Sequence, residues 1–247
     1  MHPRIDARTL LVIPCCKEKD EAGQVDDGAI DPLACMISPQ CHHDLLSARA
    51  KLLSLLKSNP RFSTGKYEIN KAVCEGPDFG QADKAGTYLP AVARYKGNLY
   101  SVSSAFTSTI RQVVQLDSTP RILILSALYG PLHPLSCIQN YDLQMKDSPA
   151  NRVWKAVFPL FLKEYVTRNE IRAVRLYLGR TTAYLKIAEA ALRPLVKSGL
   201  VDAMHYDVED GSSRETPRNH GLQLLSDLGC PARAVLSRRV VANQITA

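Results

Sequence analysis

The sequence contains no long hydrophobic run. Its first apolar run, residues 10–13, is shorter than the core of a signal peptide and follows alternating charges. No segment approaches the roughly 20 apolar residues that a helix needs to span a bilayer. We therefore expect a cytoplasmic protein with no membrane partner.

Cysteine is too scarce and too irregularly spaced to define a disulfide framework or a standard zinc site. The seven cysteines are an odd number, which favours reduced thiols in a cytoplasmic chain. Cys35 and the Cys-His-His at residues 41–43 offer ligands that zinc accepts, but their spacing matches no standard finger. The glycine spacing of a Walker or dinucleotide-binding loop is also absent. The sequence therefore predicts no metal and no cofactor, and histidines exposed at a helix start explain the cluster.

What the chain does have is an ordinary globular composition with an excess of positive charge. Its 247 residues are 45% hydrophobic and 22% charged, which suits a single domain, residues 1–247, with its own core. The net charge of +7 favours a partner that carries phosphate or carboxylate groups. A solvated basic surface without such a partner is the alternative explanation for this net charge.

Strand and helix patterns alternate along the chain. Short apolar runs predict strands at residues 9–13, 121–126, 172–178, 203–208 and 232–241. Amphipathic periodicity predicts helices at residues 42–57, 102–116 and 151–167, after a cap at residue 181 or 182, and after residue 217. This alternation is typical of an α/β fold, a mixed sheet covered by helices. Residues 61–87 are polar and contain several glycines, so a flexible, irregular insertion is expected there.

Three loops follow predicted strands and carry reactive side chains. Ligands of such folds sit at the carboxyl ends of the strands. That rule selects residues 14–19, 126–141 and 179–184. We expect these three strand-end loops to meet at one edge of the sheet.

The first loop places two thiols beside two ammonium groups. A nearby cation stabilises a thiolate, so Lys17 and Lys19 predict a lowered pKa for Cys15 or Cys16 and a nucleophilic role for Cys16. A buried structural thiol flanked by exposed lysines is the alternative.

The second loop is dense in hydrogen-bonding and acid–base groups. Ser126 ends the predicted strand, and Tyr129, His133 and Tyr141 follow it, which makes all four candidate catalytic residues. A rigid turn whose aromatic residues only pack would contain the same glycine and prolines. In the third loop, Gly179 precedes a helix start, where free amides and Arg180 could hold an anion.

Two blocks of sequence, residues 89–100 and residues 125–145, resemble the YaaA peroxide-stress family. Residues 89–100 (LPAVARYKGNLY) are similar to the family's Pro-Ala, aromatic, Gly-Asp-Val-Tyr pattern. Residues 125–145 are similar to its Leu-Ser-Gly-Leu-Tyr-Gly block and the Ile-x-Pro-Tyr-x-Leu-x-Met continuation. The first loop departs from the family's Ser-Pro-Ala-Lys. It resembles the Cys-Ser-x-x-Lys opening of an uncharacterised relative group and, more distantly, the archaeosine synthase catalytic domain.

The resemblance implies a YaaA-like α/β fold with a positively charged cleft, DNA binding and a role in limiting oxidative damage under peroxide. The archaeosine link implies chemistry on a modified base. The leading hypothesis is thus a DNA-binding stress protein that acts on damaged bases, with Tyr129 and Tyr141 stacking on a base. Its expected phosphate contacts are Lys17, Lys19, Arg94, Lys96 and Arg180.

Two other hypotheses stay open. The first is an enzyme that acts on a small nucleobase-like or amino-acid-like substrate, with Cys16 or Ser126 as nucleophile and His133 or Tyr129 assisting proton transfer. Arg180 would then clamp an anion. The second is a scaffold without catalysis.

Overall fold

The computed structural model describes residues 5–25, 31–81, 86–208, 215–230 and 241–245. Its strands are β1 (Thr9–Pro14), β2 (Gln24–Val25), β3 (Thr87–Pro90), β4 (Arg121–Ser126), β5 (Gly130–Leu132), β6 (Cys137–Ile138), β7 (Ala173–Leu176), β8 (Ala203–Val208) and β9 (Val241–Ile245). Its helices are α1 (Pro39–Ser58), α2 (Ala91–Arg94), α3 (Phe106–Val113), α4 (Ser148–Arg168), α5 (Ala183–Lys197) and α6 (Glu215–Asp227). Most of the predicted last strand, residues 232–240, lies outside the described residues.

The main sheet has the order β5-β4-β1-β7-β8-β9. Strands β4, β1, β7 and β8 are parallel, and β5 and β9 are antiparallel to their neighbours. Strands β2, β3 and β6 form a small antiparallel sheet beside it. The predicted mixed α/β sheet is confirmed.

The central strands are continuous apolar runs because helices cover them. Residues 10–13 of β1 and 122–125 of β4 are almost completely buried, as expected for parallel strands with both faces covered. Helices α1, α4 and α5 pack side by side. Helix α6 packs against β7, where Arg175 and Tyr177 both donate to the Asp227 carboxylate.

Local sequence signals fix where the main helices begin. Ser38 caps α1 by accepting the Cys41 N–H, and Pro39 follows at the first turn. Thr182 caps α5 by accepting the Leu185 N–H. The loop between β7 and α5 is therefore fixed immediately beside the strand end.

Residues 61–81 of the predicted insertion form short 3₁₀ turns that pack on the protein body. Phe62, Tyr67 and Phe79 are buried. Asn70 donates to the Asp142 carbonyl at 2.8 Å and accepts the Asp142 N–H at 2.9 Å. This segment therefore supports the second strand-end loop from outside the main sheet. Residues 82–85 lie outside the described part.

Within residues 5–25, 31–81, 86–208, 215–230 and 241–245, no helix is long and apolar enough to cross a membrane.

Candidate functional site

The three strand-end loops meet at the carboxyl edge of the parallel strands. The Cys15 N–H donates to the Leu125 carbonyl at 3.0 Å, which joins the first loop to the end of β4. The Cys15 Sγ lies 3.0 Å from the Tyr184 hydroxyl, in the first turn of α5. The convergence expected from the order of the strands is therefore present.

A chain of hydroxyl groups forms the buried floor of this edge. The Tyr95 and Tyr141 hydroxyls lie 3.0 Å apart, and the Tyr141 hydroxyl lies 2.8 Å from Ser126 Oγ. Ser126 Oγ in turn accepts the Tyr129 N–H at 3.0 Å. Ser126 is fully buried, with 0% exposure, so its hydroxyl closes the turn after β4 and holds Tyr141 in place.

Cys16 lies at the partly exposed rim of this edge, with both polar functions of its thiol used. Its Sγ donates to the Glu18 carbonyl at 2.9 Å and accepts the Gly97 N–H at 3.1 Å. Burial raises its pKa to about 12, and this outweighs the opposing effects of the Gly97 bond and of Lys19. The expected thiolate at Cys16 is therefore wrong, because loss of solvation exceeds the attraction of one nearby cation.

Lys19 folds back across the tyrosine floor. Its Nζ donates to the Cys16 carbonyl at 3.0 Å and the Lys17 carbonyl at 3.3 Å. It lies 4.2 Å from the centre of the Tyr141 ring and 5.8 Å from that of the Tyr95 ring. Burial lowers the pKa of Lys19, although the neighbouring thiols and Asp142 act in the opposite direction. Lys19 belongs to the site itself rather than to a solvated phosphate-binding surface.

Tyr129 lies in a separate buried network. Its hydroxyl donates to the Asp78 carboxylate at 2.8 Å and accepts the Gln139 N–H at 3.1 Å. Tyr88 donates to the other Asp78 oxygen at 2.9 Å. Burial raises the pKa of both Tyr129 and Asp78. The hydroxyl of Tyr129 thus holds the second loop together and does not face the thiols.

His133 is carried away from the strand ends. Strand β5 runs back along β4, with Gly130 opposite Ser126 and Leu132 opposite Ile124. His133 follows β5, is 5% exposed, and accepts the Leu135 N–H through Nδ1 at 3.1 Å. The tight turn that Gly130 permits, with a φ of 66°, therefore separates His133 from the other candidates.

Arg94 is the clearest departure from the expected anion-binding set. Its side chain is fully buried, with 0% exposure. The guanidinium donates to four backbone carbonyls, those of Asp20, Ala22, Thr87 and Ile138. The expected phosphate contact is therefore wrong, because this arginine joins the first loop to the small sheet.

The other basic candidates reach solvent. Lys17 follows β1 and Arg180 follows β7, and both are exposed. Because β1 and β7 are neighbours in the sheet, the two residues flank the same edge. The Lys96 side chain is 53% exposed, and its Nζ lies 3.1 Å from an Asp20 oxygen.

Two tyrosines of the site were not among the sequence candidates. Tyr95 lies in the first family-like block, beside the arginine and lysine that were chosen. Tyr184 lies two residues past the predicted helix cap. An aromatic residue close to a strand end or helix start, in a block already matched to a family, is the signal that would have found both.

The side chains that could bind zinc do not form a cluster in the part of the chain that the structure describes. Cys35 is exposed, and His42 lies 3.8 Å from an Asp31 oxygen. Among the residues described, no group of three or more histidine, cysteine or acidic residues could hold a metal ion.

The geometry defines an α/β protein whose mixed sheet carries a thiol, tyrosine and lysine site at the carboxyl ends of its parallel strands. The family model for the peroxide stress protein YaaA matches residues 10–187, more than half of the chain. The chain therefore belongs to the YaaA peroxide stress family, which confirms the resemblance. A comparison with curated proteins found no match.

The matched region contains all three strand-end loops and ends in α5, before β8. Membership supports a role in protection against oxidative stress.

Proposed function

We propose that the chain binds DNA in the cytoplasm and protects it under peroxide stress, with a damaged nucleotide entering the site at the carboxyl edge of the sheet. The observation that carries the proposal is the position of Lys17 and Arg180. They are exposed, they follow neighbouring parallel strands, and they flank the thiol and tyrosine cluster. Cations on both sides of a polar site suit a phosphate backbone on either side of one nucleotide.

The proposed contacts are fewer than the sequence indicated. Arg94 and Lys19 have their donors directed inward, so the proposed phosphate contacts are the solvent-exposed Lys17, Lys96 and Arg180. Tyr141 is buried, whereas Tyr184 is partly exposed. Tyr184 is therefore the better candidate for stacking on a base.

Fluorescence anisotropy with duplex and single-stranded DNA tests the proposal, across roughly 50 to 200 mM salt, where phosphate contacts weaken binding steeply. The variant Lys17→Gln/Arg180→Gln should bind more weakly, with the slope of log affinity against log salt reduced by about 2 on duplex DNA. The matched control is Lys197→Gln/Arg168→Gln. It removes the same charge from the last turns of α5 and α4, which lie at the amino edge of the parallel strands.

No binding at the lowest salt, or equal losses in the two double variants, would contradict the proposal.

One observation favours a second candidate, an enzyme that acts on a small nucleobase-like or amino-acid-like substrate. Residues 17–21 carry two lysines and three acidic residues, and Asp20 pairs with Lys96, so the first loop is not strongly basic. Thermal shift with free nucleobases, nucleosides and amino acids tests it. Stabilisation by one of these, without DNA binding, would favour this second function.

A further inference from the structure

Lys19 differs from the other basic residues at this edge of the sheet. Lys17 and Arg180 are exposed, and Lys96 pairs with a carboxylate. The Lys19 Nζ instead contacts two backbone carbonyls and the face of Tyr141. Within the described chain, no acidic oxygen lies within ion-pair distance of it.

The floor beneath Lys19 is rigid. The Tyr95 and Tyr141 rings lie under its Nζ, and their hydroxyls are bonded to each other and to Ser126. The backbone also fixes the loop, because Lys19 and Tyr95 form an isolated β-bridge. The amine is thus held at one place beside the strand ends, while the residue stays partly exposed to solvent.

Such a setting suits a nucleophilic amine better than a phosphate contact. A lysine that lacks a carboxylate partner and is removed from water loses its proton more readily, and neutral lysine amines form imines with carbonyl compounds. The neighbouring Cys16 thiol is a poorer nucleophile, because it keeps its proton and donates it to the Glu18 carbonyl. Of these two groups, the Lys19 amine is therefore the better nucleophile.

We propose that Lys19 condenses with an aldehyde, and specifically with the ring-opened sugar of an abasic site in DNA. This inference rests on the proposed DNA binding, because Lys17 and Arg180 would hold the phosphates that flank the sugar. Oxidative loss of a base leaves such an aldehyde, so the chemistry fits a peroxide stress protein.

The condensation balances without an added reagent. The Lys19 ammonium gives up a proton, and the nitrogen lone pair forms a bond to the aldehyde carbon. The carbonyl oxygen takes up protons, the carbon–oxygen bond breaks, and water leaves. The products are a protonated imine and one water molecule, formed from one ammonium and one aldehyde.

Borohydride trapping tests the proposal with the full-length protein. A labelled duplex with one abasic site is mixed with protein and sodium borohydride, which reduces the imine to a stable amine. A covalent complex should appear on a denaturing gel, and peptide mass mapping of the wild-type adduct should place it at Lys19. The intact duplex should give none.

Two matched variants sharpen the test. Lys19→Arg keeps the positive charge but forms no imine, so the adduct should be lost while anisotropy still reports DNA binding. Lys197→Arg alters an exposed lysine in the last turn of α5, away from this edge of the sheet, and should trap as the wild type does. The rate of trapping should rise with pH, because only loss of the lysine proton creates the nucleophile. The titratable and charged groups around Lys19 are Cys15, Cys16, Tyr95, Tyr141, Asp142 and Arg94.

The outcomes separate this inference from the proposed function. DNA binding without a covalent complex, or an adduct that survives in Lys19→Arg, overturns the role of Lys19 and leaves DNA binding standing. Trapping of free 2-deoxyribose 5-phosphate at Lys19 without DNA binding supports the reactive amine and overturns the DNA substrate. If the protein neither binds DNA nor forms a covalent complex, both the proposed function and the role of Lys19 are overturned.

Discussion

Replacing Arg94 with methionine should lower the free energy of unfolding by about 4–6 kcal/mol. The guanidinium donates to four carbonyls, and those of Asp20, Ala22 and Thr87 lie where water can partly replace it. Each of these three losses costs about 1 kcal/mol, whereas the buried Ile138 carbonyl adds roughly 1–3 kcal/mol. Urea unfolding followed by circular dichroism measures the change.

The variant Arg94→Lys separates the contribution of the positive charge to stability from that of the forked hydrogen bonds. Arg94→Lys keeps the positive charge but has one donor group instead of a fork, so about half of the loss should remain. The folded Arg94→Lys protein should bind DNA as the wild type does, because the side chain faces inward. A destabilisation below about 1 kcal/mol for Arg94→Met would refute the structural role, since surface substitutions fall in that range. So would weakened DNA binding by folded Arg94→Lys.

Three further predictions concern other parts of the site and its support. Gly130→Ala should destabilise the protein by at least about 3 kcal/mol in urea, because its φ is positive and the new methyl group would lie 2.3 Å from a ring carbon of Trp154. Burial lowers the pKa of His133 to about 4. Stability should therefore fall as the pH drops from about 6.5 to 4, by about 3 kcal/mol, in wild type but not in His133→Asn. Cys16 should react with iodoacetamide at least about tenfold more slowly than the exposed Cys35, by peptide mass mapping at pH 7.5, because its pKa is raised to about 12.

Each of these has a control or a contrary result. Gly199→Ala, at a φ of 72° with open space around the new methyl group, should cost only about 1 kcal/mol. Equal losses of unfolding free energy in Gly130→Ala and Gly199→Ala would contradict the predicted clash with Trp154. Asparagine at position 133 can still accept the Leu135 N–H, so an unchanged pH dependence in that variant would assign the effect to another group. Faster labelling of Cys16 than of Cys35 would contradict the raised pKa and support the thiolate that the sequence predicts.

The regular elements near the site were predictable because their signals are local. Strand β4 was predicted at its observed bounds, since a short apolar run that follows Pro120 favours a buried strand over a helix. The start of α5 was predicted from a cap at Thr181 or Thr182, and the Thr182 hydroxyl is the one that caps the helix. The order of the strands was enough to bring the three loops together.

The orientation of individual side chains was not predictable, because it depends on distant partners. Arg94 was expected to contact phosphate with the other basic residues, yet the chain supplies four carbonyls around it. His133 was placed with Ser126 because they are near in sequence, yet one tight turn sends it back along β4. The Cys16 pKa followed burial rather than the adjacent lysines, and burial depends on Gly97, far along the chain.

The contacts that build the site also determine when it can form. Cys15 and Tyr184 are 169 residues apart, Cys16 and Gly97 are 81 apart, and Tyr129 and Asp78 are 51 apart. Contacts between such distant segments carry a large loop-closure cost and form slowly. A folding intermediate or a nascent chain that lacks α5 would therefore present the thiols and Lys19 without their tyrosine partner. We therefore expect the site, and any chemistry that it performs, to form late in folding.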